Sequence, residues 1–117
     1  MLDSTELCVS LLGAALDVPI STDVPETRPA RFVLVDLSGY QFDGFIHNAR
    51  YMLTCWGSSD RDAKGIALSA VQALQEASET HPYLSACFLE TMSREEWSKT
   101  GQSRYLAEVN LIINTDE

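Results

Sequence analysis

The chain has 117 residues, 45% hydrophobic and 21% charged, with a formal net charge of -9. This predicts one domain with a core large enough to need no disulfide or metal staple. Its charge repels nucleic acid and anionic membrane surfaces at long range. No apolar run approaches the roughly 20 residues of a membrane span, and no basic segment leads into an apolar one as in a signal peptide, so a cytoplasm-like compartment is expected.

In chain order, a first helix is expected from about Ser4 to Leu16. Asp3 and Glu6 have the spacing of a capping box with Asp3 as the cap, and Leu7, Leu11, Leu12 and Ala15 recur on one face. Gly13 weakens the helix slightly, and Pro19 lies just past its end. Ile20 to Val24 reads as a short edge strand followed by Pro25, a residue suited to an edge or strand end. Pro25 and Pro29 fix their own φ and remove backbone donors. Val24 and Arg28, which precede them, are pushed toward extended conformations. This stiff connector leads into a strand from Arg31 to Leu37, where Phe32-Val33-Leu34-Val35 predicts burial on both faces.

Ser38-Gly39 allows a turn or a bulge. Tyr40, Phe42, Phe45 and Ile46 follow, apolar for a loop, around the hairpin-type dipeptide Asp43-Gly44. They predict a hairpin tip, or a mobile loop that orders on a partner. From Arg50 to Trp56 the residues alternate: Tyr51, Leu53 and Cys55 face one way, Arg50, Met52, Thr54 and Trp56 the other, with Trp56 expected in the core. After the break at Gly57-Ser58, Ser59 caps a second helix with Asp62 in its first turn. Ala63, Ile66, Ala67, Ala70, Val71, Leu74 and Ala77 form its apolar stripe, and Pro82 stops it. Leu84 to Met92 is a further strand, Ser93 to Ser103 a polar connection holding Trp97, and Arg104 to Asn114 the last strand, with Tyr105, Ala107, Val109, Leu111 and Ile113 on one face. The expected fold is α+β: one mostly antiparallel four- to five-stranded sheet with two helices packed on one face.

Chemistry is sparse. Cys8, Cys55 and Cys87 are odd in number, lack C-x-x-C spacing and fall inside predicted elements, so reduced buried thiols are expected. His47 sits near the hairpin tip and His81 at the end of the second helix, where it can bond carbonyls or favour the dipole. These residues do not reproduce a zinc spacing, and no glycine-rich loop cradles a phosphate. Arg94-Glu95-Glu96 reads as a solvated face rather than an acid/base pair. Arg28, Arg31 and Arg50, read as gathering near one end of the sheet, are expected to pair with the chain's own carboxylates. No catalytic, metal or cofactor site is expected. Candidate protein-interaction residues are Pro25, Arg28, Pro29, Arg31, Tyr40, Phe42, Phe45, Ile46 and Trp97, because aromatics are enriched at interfaces and a tryptophan among charges is either a lid on the core or an anchor.

The segment from Arg28 to Val35 resembles one found early in tail terminator proteins of long-tailed bacteriophages and prophages, also called tail completion or minor tail proteins. The similarity continues through Met52-Leu53-Thr54-Cys55-Trp56, then Ala63 and the alanine-rich helix, to Thr100-Gly101-Gln102-Ser103-Arg104-Tyr105. Ser38-Gly39 stands where a glycine pair is commoner, and Ser103 where a proline is usual. The resemblance implies a structural virion protein with no cofactor. Such a protein forms a ring, usually hexameric, on the head-proximal end of the tail tube, halts tube growth at the length set by the tape-measure protein, and forms the joint to the head connector. Implied partners are further copies of itself, the major tail tube protein and the head-completion or connector protein, with the tape-measure protein a further candidate. DNA passes through the ring without specific binding, and location is the virion after assembly in the host cytoplasm. Two alternatives stay open: a head–tail connector subunit on the portal side, and, more remote, a small cytosolic enzyme using Cys55 or His47.

Overall fold

The structure, a computed structural model, describes residues 3–27, 29–44, 46–96 and 103–114. Helix α1 (Ser4–Ala15) leads to β1 (Ile20–Ser21), a hairpin of β2 (Phe32–Asp43) and β3 (Ile46–Gly57), helix α2 (Asp60–Thr80), and a second antiparallel pair, β4 (Leu84–Glu96) and β5 (Ser103–Asn114). The five strands lie in the order β1-β2-β3-β5-β4, all antiparallel except β1 against β2. Both helices pack against this sheet, as expected of the α+β class.

Each helix starts where its cap dictates. The Asp3 carboxylate accepts from the N–H groups of Thr5 at 2.9 Å and Glu6 at 3.2 Å. Ser59 Oγ accepts from Asp62 N–H at 3.1 Å. Such caps contribute about 1 kcal/mol each. On α1 the inward residues are Ser4, Leu7, Cys8 and Leu12; Leu11 is half-buried and Ala15, expected inward, is exposed. On α2 the apolar stripe from Ala63 to Leu74 is buried as the 3.6-residue period predicts, with Ala77 half-buried. Three alanines in that stripe, Ala63, Ala67 and Ala70, bring the helix close to β3, β5 and β4.

The helix-side face of the sheet carries Val33, Val35, Leu53, Cys55, Ala107, Val109, Leu111 and Ile113, all buried in the core. Tyr51 also points there, its hydroxyl 2.6 Å from Ser4 Oγ and 2.8 Å from Thr5 Oγ1, which pins the start of α1 to mid-β3. The opposite face is apolar at the start of β2. Phe32 and Trp56 are paired across β2 and β3 with ring centroids 5.6 Å apart, and the Arg104 guanidinium lies 5.7 Å from the Trp56 ring. Trp56 is buried as expected, on the face away from the helices.

Several boundaries differ from the sequence expectation. β1 has only two residues, because Thr22 onward departs into the proline connector. β2 runs six residues past Leu37: Ser38 is accommodated as a bulge between Leu37 and Gly39, and the strand continues to Asp43. The aromatic segment is therefore ladder-paired strand, and the connection is two residues long. Gly44 occupies its first position with φ 61°, the left-handed conformation that the hairpin turn requires. Ser93 to Glu96, expected in a connection, extend β4 by pairing with β5. The rest of that connection, with Trp97, lies outside the described residues, as do Arg28 and Phe45.

Candidate interaction surfaces

The β2–β3 hairpin carries the first surface. Its distal half lies beyond the start of α1, so its helix-side aromatics have no helix above them to pack against. Tyr40 is 41%, Phe42 71% and Ile46 50% exposed. His47 is buried beneath the two aromatics. Phe42 stacks on it at 5.6 Å between centroids, Tyr40 meets it edge-on at 5.4 Å, and the Tyr40 hydroxyl bonds His47 Nδ1. Partial burial, then the Asp3 carboxylate, holds the Tyr40 phenol above its ordinary value. His47 is thus the floor of a rigid aromatic platform. Asp43 closes the tip beside Gly44.

The second surface lies at the other end of β2, roughly 35 Å away at the rise of a strand. Pro25 and Pro29 are exposed in the connector. Arg31 grips Asp62 through Nε at 3.0 Å and Nη2 at 3.2 Å, and Asp62 also accepts from Ser58 N–H at 2.9 Å. The Ser58 bond first, and Arg31 with it, lowers the Asp62 carboxyl below its ordinary value, against a smaller opposing effect of burial. Arg31 thus pairs internally, as expected. Arg50, however, sits in mid-sheet opposite Gly39 and Asn110, far from Arg31, so these arginines do not gather at one end. Between the α1–β1 connection and the first half of α2 at this end opens a cleft of about 480 Å³. Leu16, Val18 and Ile66 line it, with Arg31, Arg61 and Asp17 among its polar residues.

The molecule is 46 Å long and 23 Å wide. Arg31, Arg61, Lys64, Arg94 and Arg104 all lie at the end where β2 and β5 begin, together with Asp17, Asp60, Asp62 and Glu95. The hairpin end carries Asp3, Glu6, Asp43, Glu76 and Glu79. Arg31, Arg94 and Arg104 are paired with Asp62, Asp60 and Glu95; Arg61 and Lys64 have no ion pair among the described residues.

The cysteines and His81 sit elsewhere. All three cysteines are free and buried. Burial pushes the Cys8 and Cys55 thiols up to about 12 and Cys87 to about 11, so thiolate is scarce at neutral pH. His81 caps α2, and its Nδ1 accepts from Tyr83 N–H at 3.2 Å instead of reaching the helix carbonyls. Among the described residues no three His, Cys, Asp or Glu side chains are placed to hold a metal ion, and no helix is long and apolar enough to cross a membrane.

The cleft around Arg61 and Ile66, and the exposed pair Phe88 (56%) and Leu89 (41%) on the edge strand β4, are surfaces that the sequence reading passed over. Cys87-Phe88-Leu89 carried a signal, because three consecutive apolar residues break the alternation of a half-buried strand. Neither a protein-family model nor a curated protein matches this chain.

Proposed function

We propose that the chain is a tail terminator subunit, a structural protein that forms a ring on the head-proximal end of a phage tail tube, stops its polymerisation and joins it to the head connector. The observation that carries this reading is the presence of two unlike surfaces at opposite ends of one rigid sheet. One is a hairpin arm with exposed Tyr40, Phe42 and Ile46; the other is an end with Arg31, Arg61 and the exposed proline connector. Rings need this, because a head-to-tail contact joins two different patches on each subunit. The sequence resemblance, which runs from Arg28 to Tyr105, supplies the identity of the polymer that is capped. On this reading the functional residues bind and position; no substrate is turned over.

The test is tail assembly without this protein. Tubes of uncontrolled length are expected, and added purified protein should restore uniform tubes and decorate one end in electron micrographs. Tubes of normal length in its absence would overturn the reading. Capture on connector protein, with no binding to tube protein, would reassign the chain to the portal side.

A further inference from the structure

We infer that the hairpin arm of one copy docks in the cleft between the α1–β1 connection and the first half of α2 of a second copy, with Phe42 as the inserted side chain and Asp43 facing Arg61. The inference rests on the terminator reading only for where the assembly forms.

The arm and the cleft are roughly 35 Å apart in one copy, at opposite ends of a continuous strand, so a chain cannot fill its own cleft. Phe42 is the most exposed large apolar side chain among the described residues, at 71%. It is held in place from beneath by the stacked His47 ring, so little side-chain freedom is lost on docking. The cleft holds about 480 Å³, and its apolar side is half-buried Leu16 with the edges of the core residues Val18 and Ile66. That is ample for one phenyl ring and lies within the size range of sites that bind small organic groups.

Charge sets the orientation. The arm end is acidic, and Asp43 follows Phe42 directly. Arg61 lines the cleft and, with Lys64 one turn on, is a cation without an ion pair among the described residues. Asp17, also in the lining, repels Asp43 and so turns it toward Arg61, while Arg31 stays engaged with Asp62. A second copy of this chain presents the complementary element. Contacts of this kind, with different surfaces on the two sides, repeat from copy to copy and close when the rotation allows.

The test uses the full chain with a photoactivatable benzophenone analogue of phenylalanine at position 42, irradiated in solution over a range of concentrations and again on tail tubes. Adducts between copies at residues 16–18 or 61–69 are expected. Arg61→Asp and Asp43→Arg should each abolish these adducts and weaken association tenfold or more, and the double variant should restore both. Arg61 is exposed on the first turn of α2, so its variant stays folded even if the turn residue 43 tolerates arginine poorly. Adducts confined to one copy, adducts on other surfaces, or none in either setting would overturn the inference. Capped tubes with adducts elsewhere would reject this contact and leave the terminator reading standing. Adducts in the cleft of a protein that never caps tubes would do the reverse.

Discussion

Gly57 is the position where one methyl group does the most damage. It ends β3 on the helix-side face, directly beneath the first turn of α2, and its φ is not in the left-handed region, where Gly44 is the sole described residue. What it supplies is space. A Cβ there would lie 2.3 Å from Ala63 N, 2.7 Å from Ala63 Cα and 2.9 Å from the Asp62 carbonyl carbon. Ordinary contact begins at 3.4 Å, so the backbone of that turn must withdraw by about 1.1 Å (3.4 minus 2.3). Backbone cannot rotate out of the way as a side chain can.

The same turn holds the Ser59 cap and the Asp62 contacts to Ser58 and Arg31. Overpacking of this kind costs about 1–3 kcal/mol, and loss of the cap about 1 more. Gly57→Ala should therefore destabilise by about 2–4 kcal/mol, a large share of the ~5–15 kcal/mol of a typical domain. At about 4 °C per kcal/mol for a chain of this size, Tm falls by about 8–16 °C. Gly13→Ala is the contrast. It sits exposed in α1 with nothing within 4 Å of its would-be Cβ, and should gain about 0.5–1 kcal/mol by helix propensity. Thermal unfolding followed by circular dichroism measures both. If Gly57→Ala melted within about 2 °C of the parent chain, the close approach of α2 to β3 would be wrong.

Tyr51→Phe removes the hydroxyl that meets Ser4 Oγ and Thr5 Oγ1. It leaves a buried serine short of a partner, so urea titration should show a loss of about 1–2 kcal/mol. Asp62 has a lowered pKa in the folded state, so its contribution is complete above the ordinary value of 3.8 and is lost as pH falls through the folded value. Asp62→Asn should therefore be less stable than the parent at pH 7, with the gap narrowing toward pH 3; an equal gap at both would contradict the assignment. The three thiols should resist an aromatic disulfide reagent at pH 8 in the native protein and all react after unfolding, with Cys87 the first to yield because it is the least buried and has the lowest of the three raised pKa values.

Elements with strong periodicity were readable from the sequence. The α2 stripe from Ala63 to Leu74, the caps Asp3 and Ser59, and the alternation of β3 and β5 are all local patterns, and each appears where its residues place it. Strand ends were harder to read because pairing decides them. Gln41 and Ser93 have no marked β preference, yet each is strand because a ladder partner, Asn48 or Leu106, lies across from it. The two-residue β1 shows the reverse: Ile20 to Val24 has strand composition, but only Val33 and Leu34 are available to receive it. Of the candidate contact residues, Tyr40, Phe42 and Ile46 were legible as aromatic or aliphatic side chains too many for a loop. Arg61 was not, since an arginine on the outer face of a helix carries no mark of the cleft beside it until the α1–β1 connection is packed against α2.

The bulge at Ser38 links these observations. In a regular ladder, Tyr40 and Phe42 would share the side of Asp36 and project from the face away from the helices. One extra residue without a partner in β3 shifts the parity, so that Tyr40 comes opposite Ala49 and Phe42 opposite His47, on the helix-side face. The rings then stack on His47, beyond the start of α1, where no core receives them. The same strand is therefore core at Val33 and Val35 and contact surface at Tyr40 and Phe42, with a change of parity between. A bulge also strengthens local twist and disturbs the regular edge that a foreign strand would need. Beyond Leu34 the outer edge of β2 has no strand beside it among the described residues, so the arm offers backbone as well as the side chains of Tyr40 and Phe42.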